Sequence, residues 1–196
     1  MKTGEIWLQE VDWIEGARSI DECTYLFVEQ IGEPDTALRL EVLIVEAKPQ
    51  APITAVKDDS PVERLKLGAR PIEPDATCRL FRMAFEERHM VAYLVSNESY
   101  SKYPEPYEEF SGKRLRIFSR SHLLEFTKKA SYATDQHPGK LQHYQIVCEN
   151  HIVDVIATGP PLISVSSPQR DAARRLAELG GSQPGLKNIS RRRPTF

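Results

Sequence analysis

The sequence predicts an α+β fold built mainly on antiparallel β-sheet. Three observations lead there. Apolar residues recur with period 2 between about residues 22 and 158, the spacing of strands with one face buried. Strands and helices do not alternate as β-α-β units, so a doubly wound parallel sheet is excluded. Only two segments carry a helical face, near 121–133 and near 169–179. Alternation alone leaves open whether the sheet is open, a sandwich or a partial barrel.

The elements follow in order. Cys23, Tyr25 and Phe27 begin one alternating run, and Leu38, Leu40, Val42 and Ile44 form the next, with Arg39 and Glu41 between them. Gly32-Glu33-Pro34-Asp35 separates the two runs, and this turn cluster makes them a hairpin. Residues 77–85 and 88–96 read as a second hairpin about Glu86-Glu87, both arms rich in aromatic and β-branched residues. Between the hairpins, residues 48–76 hold five prolines, too many for a sheet interior. A short helix fits at Val62–Leu67, with Ser60 as N-cap and Pro61 at its first position.

A second long loop spans Asn97–Gly112, followed by a strand at Arg114–Phe118. Leu123, Phe126 and Ala130 then share one helical face, with Ser121 or Ser119 as cap and Lys128 and Lys129 at the C-terminal end, where the helix dipole favours cations. Residues 141–158 make the strongest hairpin, turning at Glu149-Asn150, with Asn150 expected to take the positive φ of a two-residue turn. After Ser167-Pro168 comes the second helical segment and a tail ending in Arg191-Arg192-Arg193. The expected organisation is one α+β domain over 1–168, then a helix and flexible basic tail over 169–196.

The chain has 196 residues, 26 basic and 28 acidic side chains and a net charge of −2. That balance argues against a basic nucleic-acid binder and against an acidic disordered chain. Residues 170–196 carry seven basic and two acidic groups, a net +5, which leaves −7 for residues 1–169. A body of that sign repels a polyanion. No apolar run approaches the ~20 residues of a spanning helix, and the first residues lack a secretory leader's apolar core. Three widely spaced cysteines, Cys23, Cys78 and Cys148, read as reduced thiols of a cytoplasmic protein.

Two groups of residues are candidates for chemistry. The 141–158 hairpin register sets Cys148 beside His151 on the face of Tyr144, Ile146, Val153 and Val155. Thiolate–imidazolium pairing there would make a cysteine-dependent hydrolase or transferase. That face reads as the core face, and its apolar company suits a core thiol better. His143, Cys148 and His151 also give the zinc-compatible spacing H-x4-C-x2-H, with His89, His122 or His137 as a fourth ligand. The register sends His143 to the other face, so no metal site is expected, and no cofactor motif is present. The adjacent acidic pairs Asp58-Asp59, Glu86-Glu87 and Glu108-Glu109 read as solvated loop charges. The loop SYSKYPEPYEEF holds Tyr100, Tyr103, Tyr107 and Phe110, large contact residues of low entropy cost. These four are the expected binding residues of a non-catalytic interaction protein, for a protein partner or small ligand. A small ligand inside a curled sheet is the further alternative.

Overall fold

In the computed structural model the protein is described over residues 8–34, 38–55 and 60–166. The order is β1 (Leu8–Val11), α1 (Trp13–Asp21), β2 (Tyr25–Gly32), β3 (Arg39–Pro49), α2 (Pro61–Arg64), β4 (Ile72–Glu73), β5 (Leu80–Glu86), β6 (Met90–Asn97), β7 (Glu109–Ser111), β8 (Leu115–Arg120), α3 (His122–Ala130), β9 (Gln142–Val147), β10 (His151–Ala157) and β11 (Leu162–Ser166). The fold is α+β, and every strand pair is antiparallel. One sheet runs β1-β11-β5-β3-β2, with β4 on the end of β3; the other runs β6-β10-β9-β8-β7. Neither closes into a barrel. The expected helix at 169–179, the basic tail and the Asp58-Asp59 pair lie outside the described residues.

The two sheets share one core. Leu26, Leu40, Val42, Ile44, Phe81, Met83 and Phe85 from the first meet Leu115, Tyr144, Ile146, Val153 and Val155 from the second. Each set is spaced by two along its strand, so alternation puts them all on inner faces. Tyr144 sits at the centre, with the Trp13 ring edge-on at 5.9 Å and Phe85 at 5.8 Å.

Helix α1 was not expected. Its signal was present: Asp12 accepts from the Ile14 amide at 2.9 Å, and Glu15 stands three residues after it in capping-box spacing. Gly16 lets the helix lie directly on β11, because a Cβ there would stand 2.9 Å from Ile163 Cγ2. The helix is tied to the sheet through Arg79, which bonds Ser19 Oγ at 2.9 Å and pairs with Glu46 at 3.1 Å.

Four further expectations are corrected. β5 and β6 do not pair with each other; β5 joins β3 and β11, and β6 joins β10. The 3₁₀ turn Glu87–His89 carries the chain from one sheet to the other. Among the described residues no non-glycine residue has a positive φ, so Asn150 does not either. Its side chain reaches 122 residues back instead, accepting from Val28 N and donating to Val28 O, both at 2.9 Å. With the Glu149 amide donating to Leu26 O at 2.8 Å, the β9–β10 turn covers the outer edge of β2 at its bulge. The short second helix covers only Pro61–Arg64, and α3 ends at Ala130, where Ser131 leaves helical geometry.

Candidate functional site

Residues paired across a strand ladder share a face. His143, Gln145 and Val147 of β9 are therefore on the outer face of the second sheet with Ile156, Asp154 and Ile152 of β10. β8 adds Arg116 opposite Gln145 and Phe118 opposite His143. Helix α3 covers one end of this face, packing Leu124 and Leu123 with Leu141 and Ile156. The other end is an open cleft of about 440 Å³. Its floor includes Arg116, Val147 and Ile152. One side is the loop after β6, with Glu98, Ser101, Lys102 and Tyr103; the opposite side has Lys113, Arg114, Glu149 and Tyr25.

A buried chain of hydrogen bonds links the two ends of the face. Arg116 Nη1 donates to Gln145 Oε1 at 3.0 Å, and Gln145 Nε2 donates to Asp154 Oδ1 at 2.8 Å. His143 Nε2 meets the same oxygen at 2.8 Å, and its Nδ1 lies 2.8 Å from Ser121 Oγ. Ser121 Oγ also accepts from the Leu124 amide, which caps α3. His143 Nε2 donates to Asp154, and Nδ1 and the Ser121 hydroxyl share a second hydrogen bond. Ser, His and Asp are the residue types of a hydrolytic triad. Here Ser121 is fully buried, its oxygen is taken by the helix cap, and Phe118 stacks on His143 at 4.5 Å. The group fastens α3 to the sheet and holds Gln145 in place to grip Arg116.

Arg116 differs from Arg114 in making no ion pair among the described residues; the Nε atoms of both are buried without a hydrogen-bond partner there. The Arg116 guanidinium lies 5.1 Å from the centre of the Phe110 ring. Burial pushes its pKa below the usual arginine range; Tyr103 opposes this, Arg114 adds to it, and Asp154 opposes it more weakly. Arg114 already has a partner, Glu149 at 3.0 Å, and donates to Thr24 O. With Lys102 and Lys113 the cleft sets four cations against two carboxylates, Glu98 and Glu149.

The four expected binding residues do not form one patch. Tyr103, 89% exposed, lines the cleft, and Phe110 packs against Arg116. Tyr107 fixes the loop to α3, stacking on His122 at 5.0 Å and donating to Glu125 at 2.5 Å. Tyr100 is 86% exposed. Sequence reasoning missed the cleft's cations, although Lys113, Arg114 and Arg116 lie together about the start of β8; Lys102 joins them from the loop after β6.

Cys148 and His151 stand where the hairpin register put them, joined by a backbone bond from the Cys148 amide to His151 O at 3.1 Å. Cys148 borders the cleft but is only 1% exposed. Burial pushes its thiol up to about 12, and the Cys23 thiol up to about 11. His151 Nδ1 is buried with no hydrogen-bond partner. The geometry thus disfavours the thiolate that nucleophilic attack needs. Iodoacetamide at neutral pH is expected to label none of the three cysteines appreciably in the folded protein, and all three in denaturant. Stoichiometric labelling of Cys148 in the native state, read by peptide mass spectrometry, would contradict this placement.

His143, Cys148 and His151 do not converge, since His143 is on the outer face and Cys148 is in the core. Among the described residues no group of three His, Cys, Asp or Glu side chains could hold a metal. No helix of the described residues is long and apolar enough to cross a membrane. No protein-family model matches the chain, and searches of curated proteins and of solved structures find no match.

Proposed function

We propose that this is a non-catalytic binding protein whose cleft takes an acidic group of its ligand, a carboxylate or a phosphate, onto Arg116. The observation that supports the reading is a partly buried guanidinium, beside the Phe110 ring and bonded to Gln145, with no ion-pair partner among the described residues. A buried cation without a counter-charge is costly, and an incoming oxyanion would relieve that cost. Lys102 and Lys113 add attraction at the rim, and Tyr103 offers an aromatic wall for the rest of the ligand. The expected recognition loop thus keeps its role, but the partner chemistry it favours is acidic. The −7 body makes the selection local: a single acidic group bound at the cleft suits it better than a long polyanion does.

The test is calorimetric titration with inorganic phosphate and with a short glutamate-rich peptide. Saturable binding that weakens with added salt is expected. Arg116→Met replaces the buried charge with an apolar chain of similar length and is expected to keep the fold. It should weaken binding by about tenfold to hundredfold, the worth of a hydrogen bond to a charged group. No binding of either probe at millimolar concentration, or equal binding by the variant, would refute the reading.

A further inference from the structure

We infer that the cleft selects a phosphomonoester carried on a small planar body. The inference rests on the proposed oxyanion cleft at Arg116 and narrows its ligand from two oxyanions to one. The charge of the cleft supplies the ground. Arg114, Arg116, Lys102 and Lys113 set four positive charges against Glu98 and Glu149, an excess of two. Glu149 is taken by Arg114 at 3.0 Å. Lys102, Lys113 and Glu98 make no ion pair among the described residues. A carboxylate or a phosphodiester brings one negative charge and leaves half of the excess unmatched. A phosphomonoester brings about −1.5 to −2 at pH 7, on three strong acceptor oxygens.

The donors suit that many oxygens. Gln145 engages only Nη1 of Arg116; Nη2 stays open to solvent without a hydrogen-bond partner among the described residues. Lys102 stands on one side of the cleft and Lys113 on the other, and both are exposed.

The space exceeds what a bare phosphate needs. Its 440 Å³ falls within the range of small-molecule pockets, roughly 300–1,000 Å³. Each side carries a tyrosine, Tyr103 and Tyr25, and the floor adds Val147 and Ile152. Aromatic walls pair best with another flat ring. Volume and walls together favour a small molecule over a protein chain as the carrier of the phosphate.

Calorimetric titration of the full chain tests this with three probes that share a phenyl ring: phenyl phosphate, methyl phenyl phosphate and phenylacetate. Near neutral pH the monoester is expected to bind about tenfold tighter than the diester or the carboxylate. It should also bind about threefold to tenfold tighter than inorganic phosphate, a margin that Tyr103→Ala removes. Lys102→Gln combined with Lys113→Gln cancels the excess charge at two exposed positions. A dianion feels that loss twice as strongly as a monoanion. The double variant is therefore expected to weaken phenyl phosphate about tenfold and methyl phenyl phosphate only about threefold. Equal affinity for monoester and diester, or for phenyl phosphate and inorganic phosphate, would overturn this inference and leave an oxyanion cleft at Arg116 standing. Absence of binding by every probe would refute the cleft itself, and this inference with it. A phosphotyrosine peptide bound more than about tenfold tighter than phenyl phosphate would overturn the small-molecule assignment in favour of a protein partner.

Discussion

Asp154→Ala is expected to lower the unfolding free energy by about 2–6 kcal/mol, the cost of leaving two buried donors unsatisfied at about 1–3 kcal/mol each. Asp154 Oδ1 accepts from both His143 and Gln145. Without it, two buried donors lose their acceptor, and their desolvation is no longer offset. The loss passes in both directions along the chain of bonds. Toward α3 it loosens the imidazole bonded to the Ser121 hydroxyl, and toward the cleft it frees Gln145, the only hydrogen-bond partner of Arg116. Chemical denaturation reads the first effect. Phosphate titration of the surviving folded fraction reads the second as weakened binding. Asp154→Asn keeps one acceptor oxygen and should cost less than the alanine. Equal stability of parent and alanine variant would show that the pair contributes nothing.

The second large effect is expected at Gly112. Its φ is +86°, which side-chain-bearing residues rarely adopt, and an added Cβ would fall 2.1 Å from Leu115 O. Gly112→Ala therefore cannot be accommodated by a rotamer change; the backbone itself must move. That backbone carries the amides of Lys113, Arg114 and Leu115, which donate to the Asp21 carboxylate at 3.0, 2.7 and 2.9 Å. Strained φ costs about 1–2 kcal/mol, and each weakened bond to the carboxylate adds up to about 1.5–3 kcal/mol. A total loss of about 3 kcal/mol or more is expected in urea unfolding. Because Lys113 and Arg114 form one wall of the cleft, oxyanion affinity should fall as well. An alanine variant as stable as the parent would mean that this turn is not held as described.

Much of the fold was legible because the alternation was strong. The β2–β3 and β9–β10 hairpins and the Ser121 cap were all readable from local spacing. What local spacing does not show is which strand a strand will choose. β5 and β6 adjoin in sequence and look like a hairpin, yet each is better served by partners in different sheets, a choice made by core packing across the whole chain. β1 and β11 were missed for a related reason. Each is short, and β1 has its ladder only with β11, which itself lies between β1 and β5.

The candidate site was less legible. The hairpin register put His143, Gln145 and Asp154 together on one face, but nothing in the sequence said that Ser121 and Arg116 would flank them. Tyr103 and Phe110 were found from composition. Their distinct roles depend on where the loop lies over β8.

The clasp of Asn150 on Val28 has a consequence for how the molecule is made. During synthesis the N-terminal strands emerge first, and β2 can find β3 almost at once. Its other flank stays bare until the ribosome has produced the residues that close it, well over a hundred positions later. β1 waits longer still, for β11. The nascent protein therefore passes through a long interval with sticky borders, when an escort protein or slow dilution would matter most, and the final stretch of the described chain acts as the fastener.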